Sequence, residues 1–255
     1  MVARTRLRRF GPSATTILMT SDNYHLQELS IAKSPGDPRR VMPTIRPEHR
    51  CILDVGCGAG QTLIASELAP GVTAVGVDVD SAALSLGRAL GAGIRFARAR
   101  GEALPFESES FDLVISRVAL PYMNIPQALD EMRRVLKTGG DLWVVLHPLS
   151  LVMGRLAADL LRLKLKGVIY QLYVLTNGLA LHLLGKQFNF PVTGGGCESF
   201  QTVGGIRRVL RHTGFEGVEI RRSNFFVVTA KKSPPCDPVA KRGARNCSSR
   251  RPGDF

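Results

Sequence analysis

The stretch ILDVGCGAGQT, Ile52–Thr62, is a short apolar run that turns abruptly into glycine. Three glycines at alternate positions, Gly56, Gly58 and Gly60, weaken a strand and start a helix poorly. The same glycines let a backbone approach a ligand closely, and a helix that follows them offers free N–H groups. The stretch therefore predicts the end of a buried strand, followed by a ligand-binding turn.

From Arg50 onward, strand-like and helix-like segments alternate. Each predicted strand is almost wholly apolar, which is typical of a parallel sheet covered by helices on both faces. Helices are predicted in GQTLIASELA, from Ser81, in IPQALDEMRRVLK and in TVGGIRRVLRHTGF. Strands are predicted in CILDVG, VTAVGVDVD, GIRFARAR, FDLVISRVA, TGGDLWVVLHP, EGVEIRR and NFFVVTAKK. A length of 255 residues favours one such α/β domain with an insertion over two domains.

Two acidic residues accompany the glycines. Asp78 ends the second predicted strand, where a carboxylate accepts hydrogen bonds from ribose hydroxyls. Asp54 precedes the first glycine by two positions, which is a poor place for a negative charge beside a pyrophosphate but suits a cationic amino group. The spacing Gly56-Cys57-Gly58-Ala59-Gly60 also departs from the G-x-G-x-x-G of dinucleotide-binding folds. An NAD(P)-binding oxidoreductase is therefore a disfavoured alternative.

Four motifs in order, ILDVGCGAG, GVDVD, GEALPFESESFDLVISRVALPYM and ALDEMRRVLKTGG, resemble class I S-adenosylmethionine-dependent methyltransferases. They are most similar to the type 11 group, which includes the C-methyltransferases of quinone biosynthesis. The resemblance implies a Rossmann-like, mostly parallel, seven-stranded sheet with a helical insertion after the fifth strand. It also implies S-adenosyl-L-methionine as cofactor. The expected units are an N-terminal extension with a short capping helix (1–49), a methyltransferase domain (50–232), a substrate or lid insertion (149–196) and a disordered basic tail (233–255).

The resemblance also implies roles for individual residues. Asp54 would bind the methionine amino group, Asp78 the ribose and Val79 the adenine. Arg100 stands where the family usually has an aspartate, which leaves Glu102 or backbone groups to contact the adenine. Tyr24 and Gln27 on the leading helix are further candidates for covering the cofactor. The full set of expected cofactor contacts is Asp54, Gly56, Cys57, Gly58, Gly60, Asp78, Val79, Gly101, Glu102, Ala103, Arg117 and Val118.

Catalysis makes a modest demand, because a sulfonium methyl group is already activated and transfer needs mainly alignment and exclusion of water. A general base helps only an acceptor that arrives protonated. The candidates are His147, after the fifth strand, and Tyr122, after the fourth. A polar strand end and a packing aromatic are the ordinary alternatives, and a non-catalytic methyltransferase-like binding protein is the alternative function.

The insertion is rich in leucine, which predicts an apolar acceptor pocket under a helical roof. Arg155, Asp159, Arg162 and Lys166 recur at helical spacing and predict one polar stripe on one helix. The segment GVIYQLYVLTNGLALHLLG is marginal in length for a membrane span and carries several polar residues. A span, membrane or lipid contact through 149–190, and a lid or homodimer surface are the readings left open.

Charge and cysteine content bound the remaining function classes. Of the net charge of +13, residues 1–50 and 231–255 carry +5 each, so the central part is nearly neutral. This distribution disfavours a nucleic-acid substrate and fits solvated ends or weak attraction to anionic surfaces. The five cysteines show neither a metal-ligand spacing nor a disulfide framework, so we expect no metal. We expect a small-molecule acceptor and a cytoplasmic protein, and the sequence leaves open whether the insertion also associates with a membrane.

Overall fold

A computed structural model describes residues 21–91, 93–189 and 197–234. The helices are α1 Ser21–Lys33, α2 Gln61–Ala65, α3 Ser81–Leu90, α4 Ile125–Val135, α5 Leu149–Leu161, α6 Leu165–Leu184 and α7 Val203–His212. The strands are β1 Cys51–Val55, β2 Thr73–Asp78, β3 Ile94–Arg98, β4 Phe111–Arg117, β5 Leu136–Leu146, β6 Phe215–Arg222 and β7 Phe226–Lys232. A short 3₁₀ turn, Leu120–Tyr122, follows β4.

The seven strands form one sheet in the order β3-β2-β1-β4-β5-β7-β6. Strands β1 to β5 pair in parallel, and β7 pairs antiparallel with both β5 and β6. The predicted mostly parallel sheet with helices is confirmed. The winding reverses between β1 and β4, and ligands of open α/β sheets bind beyond the carboxyl ends of the strands at such a point. The glycine turn after β1 lies there.

The central strands β1, β2 and β4 are buried on both faces of the sheet, which explains why they are mostly apolar. Leu53 and Val55 point into a large cluster that includes residues of α4, α6 and α7. Ile52, which precedes Leu53 in sequence, points into a smaller cluster on the opposite face. Side chains that alternate between two cores fix the register of β1 and hence the position of the turn after it.

Two predicted boundaries were wrong. The helix expected in GQTLIASELA is only five residues long, Gln61–Ala65. The helix expected through Lys137 ends at Val135, because Leu136 takes an extended conformation and already pairs with Phe111 of β4. Thr138, Gly139 and Gly140 are therefore part of β5, at the point where its pairing with β4 shifts register and Gly139 has φ +76°.

The insertion is helical as predicted, but its polar stripe does not lie on one helix. The chain breaks between α5 and α6 at Leu163, whose φ is +53°. Asp159 therefore belongs to α5, Arg162 ends it, and Lys166 lies on α6. Within the described ranges, α6 alone is long and apolar enough to cross a membrane by length and composition. Residues 190–196 of the insertion and 235–255 of the expected tail lie outside the described residues.

Candidate active site

The turn after β1 is held against the ends of two neighbouring strands. The N–H groups of Gly56 and Cys57 both donate to the carbonyl oxygen of Val77 in β2, at 2.8 and 3.0 Å. Gly56 has φ +74°, and a Cβ atom there would lie 2.2 Å from the Cβ of Ala119, just after β4. Only glycine fits this position, so the conformation of the turn requires glycine at residue 56.

Asp78, at the end of β2, holds the turn from the other side. Its Oδ2 accepts a hydrogen bond from the N–H of Gly58 at 2.8 Å, and its Oδ1 accepts one from the N–H of Asp80 at 2.9 Å. A carboxylate oxygen can accept more than one hydrogen bond, so both retain acceptor capacity. Asp78 also lines a cavity of about 440 Å³. Asp78 can therefore hold the turn in place and, at the same time, accept hydrogen bonds from the hydroxyl groups of a ligand.

Asp54 is the most unusual residue of the site. It lies in β1, is 1% exposed, and neither carboxylate oxygen accepts a hydrogen bond from a described residue. Burial raises the pKa of this carboxyl to about 7, and the nearby negative charge of Asp78 adds to the rise. The positive charge of Arg117 and the Thr62 hydroxyl lower the pKa, although that hydroxyl does not form a hydrogen bond of good geometry with either oxygen. A buried carboxylate without a partner is costly, so the position calls for a donor, best a cation.

The 440 Å³ cavity contains five of the expected cofactor contacts in its wall. They are Gly56, Asp78, Val79, Gly101 and Glu102, and the rest of the wall is Ala99, Arg100, Ala119, Tyr122 and Met123. Glu102 Oε1 accepts a hydrogen bond from the N–H of Asn124 at 2.9 Å, at the start of α4. Glu102 Oε2 lies 3.6 Å from Arg100, the residue that replaces the family's usual aspartate. Its carboxylate thus has two structural partners at the cavity edge.

The other expected contacts lie beside this cavity rather than in its wall. Ala103 is exposed and lines a smaller depression with Asn124. Val118 faces a second cavity, described below. Arg117 forms an ion pair with Glu28 of α1 at 3.1 Å. Cys57, Gly58 and Gly60 are parts of the turn itself, and burial holds the pKa of the Cys57 thiol well above its usual range.

Helix α1 packs on the turn through His25, and it contacts the end of β4 through Glu28. Tyr24 and Gln27 are exposed. His25 instead packs on Gly58, where a Cβ atom would lie 2.9 Å from the imidazole, and its Nδ1 accepts a hydrogen bond from Gln61 at 2.7 Å. Glu28 reaches Arg117. Sequence reasoning missed both residues because the apolar pattern of α1 is weak, and so gives no sign of which face points inward.

Tyr122 and His147 meet at the boundary between two cavities. Their rings pack edge to face with centroids 5.2 Å apart. Tyr122 lines the 440 Å³ cavity, and His147 lines a second cavity of about 820 Å³ beyond β4, β5 and β7. Burial, helped by the charge of Arg155, lowers the pKa of His147 to about 4, so its imidazole is neutral at neutral pH.

Glu198 is a site residue that the sequence analysis missed. Its Oε2 accepts a hydrogen bond from the Tyr170 hydroxyl at 2.6 Å, and its Oε1 lies 3.2 Å from Arg155 and 4.0 Å from His147 Nδ1. Asn177 of α6 donates to its backbone carbonyl at 2.9 Å. The sequence does contain one indication of its importance, because Glu198 is the sole acidic residue between Asp159 and Glu216. The insertion thus brings a buried charged cluster to the end of β5.

The fold and the site together define a Rossmann-like domain whose glycine turn, Asp54 and Asp78 fit S-adenosylmethionine. The fit rests on the buried Asp54 carboxylate, which lacks a hydrogen-bond donor among the described residues, and on glycines of the turn that lie too close to neighbouring atoms for a Cβ. Residues 53–144 match the family model described as a methyltransferase domain. Over these residues the chain is similar to class I S-adenosylmethionine-dependent methyltransferases of the type 11 family, and this similarity and the site indicate S-adenosylmethionine as cofactor.

Named relatives agree with this assignment. The uncharacterized methyltransferase YcgJ of Bacillus subtilis is 37% identical over 40% of this chain and 42% of its own length. A demethylmenaquinone methyltransferase of Chlorobaculum tepidum is 26% identical over 71% of this chain and 70% of its own length. The chain thus spans less than half of the first and about two thirds of the second. The solved CurJ carbon methyltransferase shares the fold, with a TM-score of 0.51 and 19% identity over 75% of this chain and 50% of its own.

When bound, S-adenosylmethionine supplies a methyl group activated by a sulfonium. Asp54 would accept hydrogen bonds from its amino group, and Asp78 would accept them from its ribose hydroxyls. Val79 and Met123 would give the cavity its apolar wall. Tyr122 and His147, whose rings are in contact, each line one of the two cavities, where their bulk can help to exclude water.

Proposed function

We propose that the chain transfers a methyl group from S-adenosylmethionine to a small, apolar or lipid-like acceptor that occupies the 820 Å³ cavity. The observation that carries the proposal is the contact between Tyr122 and His147, which joins the wall of this cavity to the wall of the cofactor cavity. Two cavities whose lining residues are in contact suit a cofactor and an acceptor that must meet in line.

The lining of the second cavity supports an apolar acceptor. Its apolar residues are Val118, Val145, Leu146, Pro148, Leu151, Phe225 and Phe226, and its polar ones are His147, Ser150, Arg222, Ser223 and Asn224. Mostly apolar walls with a few polar groups bind a ligand's hydrophobic body and fix its orientation. A small acceptor with an apolar body and one or two polar substituents matches this lining.

His147 is the proposed proton acceptor for an acceptor hydroxyl. Its imidazole is neutral at neutral pH, and Nδ1 has no hydrogen-bond partner among the described residues. Glu198, 4.0 Å from Nδ1, would stabilise the imidazolium that forms. Because burial makes this imidazole a weak base, the hydroxyl of a phenol or hydroquinone suits it better than the less acidic hydroxyl of an alcohol.

The Chlorobaculum tepidum relative supports the same class of acceptor. Its name identifies demethylmenaquinone, a quinone, as what it methylates. At 26% identity we carry over the class of compound and not the compound itself.

Transfer of radiolabelled methyl from S-adenosylmethionine tests the proposal. The acceptors are an isoprenoid hydroquinone, a short-chain hydroquinone and a water-soluble primary amine, offered to the wild type and to Asp78→Asn. We expect label in the hydroquinones, most in the isoprenoid one, and a loss of at least about tenfold in the variant. Label in the amine alone would overturn the proposal, as would no transfer by a chain that binds S-adenosylhomocysteine.

A further inference from the structure

The α5–α6 hairpin exposes an apolar surface without a partner among the described residues. On α6, Leu165, Ile169, Leu172, Leu179 and Leu183 recur at helical spacing, and all five are at least half exposed. The opposite face of the helix is buried. A stripe of this size on one side of a helix indicates an interaction surface rather than scattered surface leucines.

The turn between the two helices adds the most exposed leucines and a set of basic residues. Leu161 is 86% exposed and Leu163 is 92% exposed. Arg162, Lys164 and Lys166 alternate with them in sequence, and none forms an ion pair with a described residue. Between residues 149 and 189 the chain has five basic residues and one acidic residue, Asp159.

We propose that this surface, Leu161–Lys166 together with the exposed stripe of α6, docks on an anionic membrane. Leucines interspersed with lysine and arginine are the composition of helices that lie in the lipid interface, where apolar side chains enter the acyl boundary and cations face the headgroups. Each basic residue adds attraction to anionic lipid. The charge of the surface thus selects lipid of the opposite sign.

The packing of α6 favours a helix that lies on the membrane over one that crosses it. Leu181 is 1% exposed and belongs to the main core. Asn177 donates to the carbonyl of Glu198, and its Oδ1 accepts from the N–H of Phe188 at 2.7 Å. Crossing would withdraw this face from the domain and take Asn177 and Gln171 into lipid, which is costly for polar groups.

A second copy of the chain fits the surface less well. An isologous dimer would place this basic surface against itself, and Asp159 is the sole acidic residue with which it could pair. Lipid phosphates supply the missing negative charge. The proposal does not rest on methyl transfer, although a membrane dock would bring an apolar acceptor to the cavity.

Co-sedimentation of the full chain with vesicles tests the proposal, without cofactor or acceptor. The vesicles are phosphatidylcholine alone and phosphatidylcholine mixed with phosphatidylglycerol. We expect sedimentation with the mixed vesicles, weakened by salt, and about tenfold less with phosphatidylcholine alone. Equal binding to both, or to neither, would contradict the proposal.

Two sets of variants locate the binding on the hairpin. Leu161→Ser/Leu163→Ser removes exposed apolar contacts, and Lys164→Glu/Lys166→Glu reverses two charges; each should weaken binding at least about tenfold. The matched controls change an exposed leucine, Leu90→Ser, and an exposed lysine, Lys33→Glu, outside the hairpin.

All four variants concern exposed side chains, so circular dichroism should show the wild-type fold in each. Controls that lose binding as much as the hairpin variants would overturn the assignment of the surface. So would a wild-type dimer in solution that Leu161→Ser/Leu163→Ser converts to monomer.

Discussion

The Asp54 carboxylate lowers the stability of the fold but is the group proposed to bind the amino group of the cofactor. Its pKa rises from 3.8 to about 7, which corresponds to about 4 kcal/mol of folding free energy lost at pH values well above 7. Replacing the carboxylate with the neutral amide in Asp54→Asn should therefore raise the free energy of unfolding above neutral pH. The same change should weaken S-adenosylhomocysteine binding at least about tenfold, because the donor-seeking charge is gone. Urea unfolding and calorimetric titration measure the two effects.

Asp112 provides the control for this prediction. Its carboxylate accepts hydrogen bonds from the N–H groups of Arg50 and Cys51 and pairs with Lys137 at 2.8 Å, and its pKa is lowered. Asp112→Asn should therefore destabilise the chain while leaving cofactor binding unchanged. An Asp54→Asn variant that is destabilised like Asp112→Asn would show that Asp54 has a structural partner and is not held for a ligand.

A second prediction concerns the carboxylate of Glu198. Glu198→Gln keeps the shape of the side chain but removes the charge that faces His147 and Arg155, so kcat for a hydroquinone should fall about tenfold or more. Binding of S-adenosylhomocysteine should be unchanged. The matched control is Glu219→Gln, at an exposed residue paired with Arg221. A fall in cofactor affinity equal to the fall in kcat would mean that Glu198 only supports the fold.

At the scale of the element, α6 positions the polar cluster by packing closely on Phe200. A Cβ atom on Gly178 would lie 2.3 Å from the Phe200 ring, whereas one on Gly154 of α5 would meet nothing within 4 Å. Gly178→Ala should therefore destabilise the chain by about 1–3 kcal/mol, and Gly154→Ala should stabilise it by up to about 1 kcal/mol. Thermal unfolding measures both changes.

The variants Gly178→Ala and Gly154→Ala also distinguish the acceptor site from the cofactor site. Displacing α6 moves Asn177, which holds the backbone of Glu198, so Gly178→Ala should lower methyl transfer but keep S-adenosylhomocysteine binding. Gly154→Ala should change neither. If Gly178→Ala transferred methyl at the wild-type rate, the hairpin would have no part in positioning the acceptor site.

The elements differ in how far the sequence predicts them. The central strands β1, β2 and β4 are mostly apolar and are therefore easy to predict, and the edge strands β3 and β6 were predicted although they contain several charged residues. The turn after β1 was located from its glycines. The break at Leu163 was missed because leucine gives no sign of a positive φ. The start of β5 at Leu136 was missed because strand pairing with Phe111 decides it, and pairing is not a local property.

The residues of the candidate site also differ in how far the sequence predicts them. Asp54 and Asp78 stand next to a glycine motif, so local sequence identified them as candidates. His25, Glu28 and Glu198 reach the site from distant segments, and the sheet topology and the packing of α1 and α6 bring them there. Chemistry that depends on such convergence requires tertiary structure.

At the scale of the whole molecule, two buried groups oppose each other in their effect on stability. The raised pKa of Asp54 gives stability that is present below pH 3.8 and lost as the pH rises through about 7. The lowered pKa of His147 gives stability that is present above pH 6.5 and lost as the pH falls through about 4. Between pH 4 and pH 6.5 the two contributions change in opposite directions.

Single substitutions should uncover each contribution. Relative to the wild type, the free energy of unfolding of Asp54→Asn should rise with pH between 4 and 7, and that of His147→Gln should fall with pH over 4 to 6.5. Urea unfolding across this range measures both slopes, with Asp112→Asn as the control. A wild-type pH dependence in both variants would mean that neither group has a perturbed pKa.

The central claim is that the turn after β1, with Asp54 and Asp78, forms an S-adenosylmethionine site. Calorimetric titration of the purified chain with S-adenosylhomocysteine tests it most directly, beside Asp78→Asn, the exposed control Glu107→Gln and an NADH titration. We expect binding by the wild type and the control, affinity at least about tenfold lower in Asp78→Asn, and no binding of NADH. Binding of NADH alone, or equal affinity of Asp78→Asn and the wild type for S-adenosylhomocysteine, would contradict it.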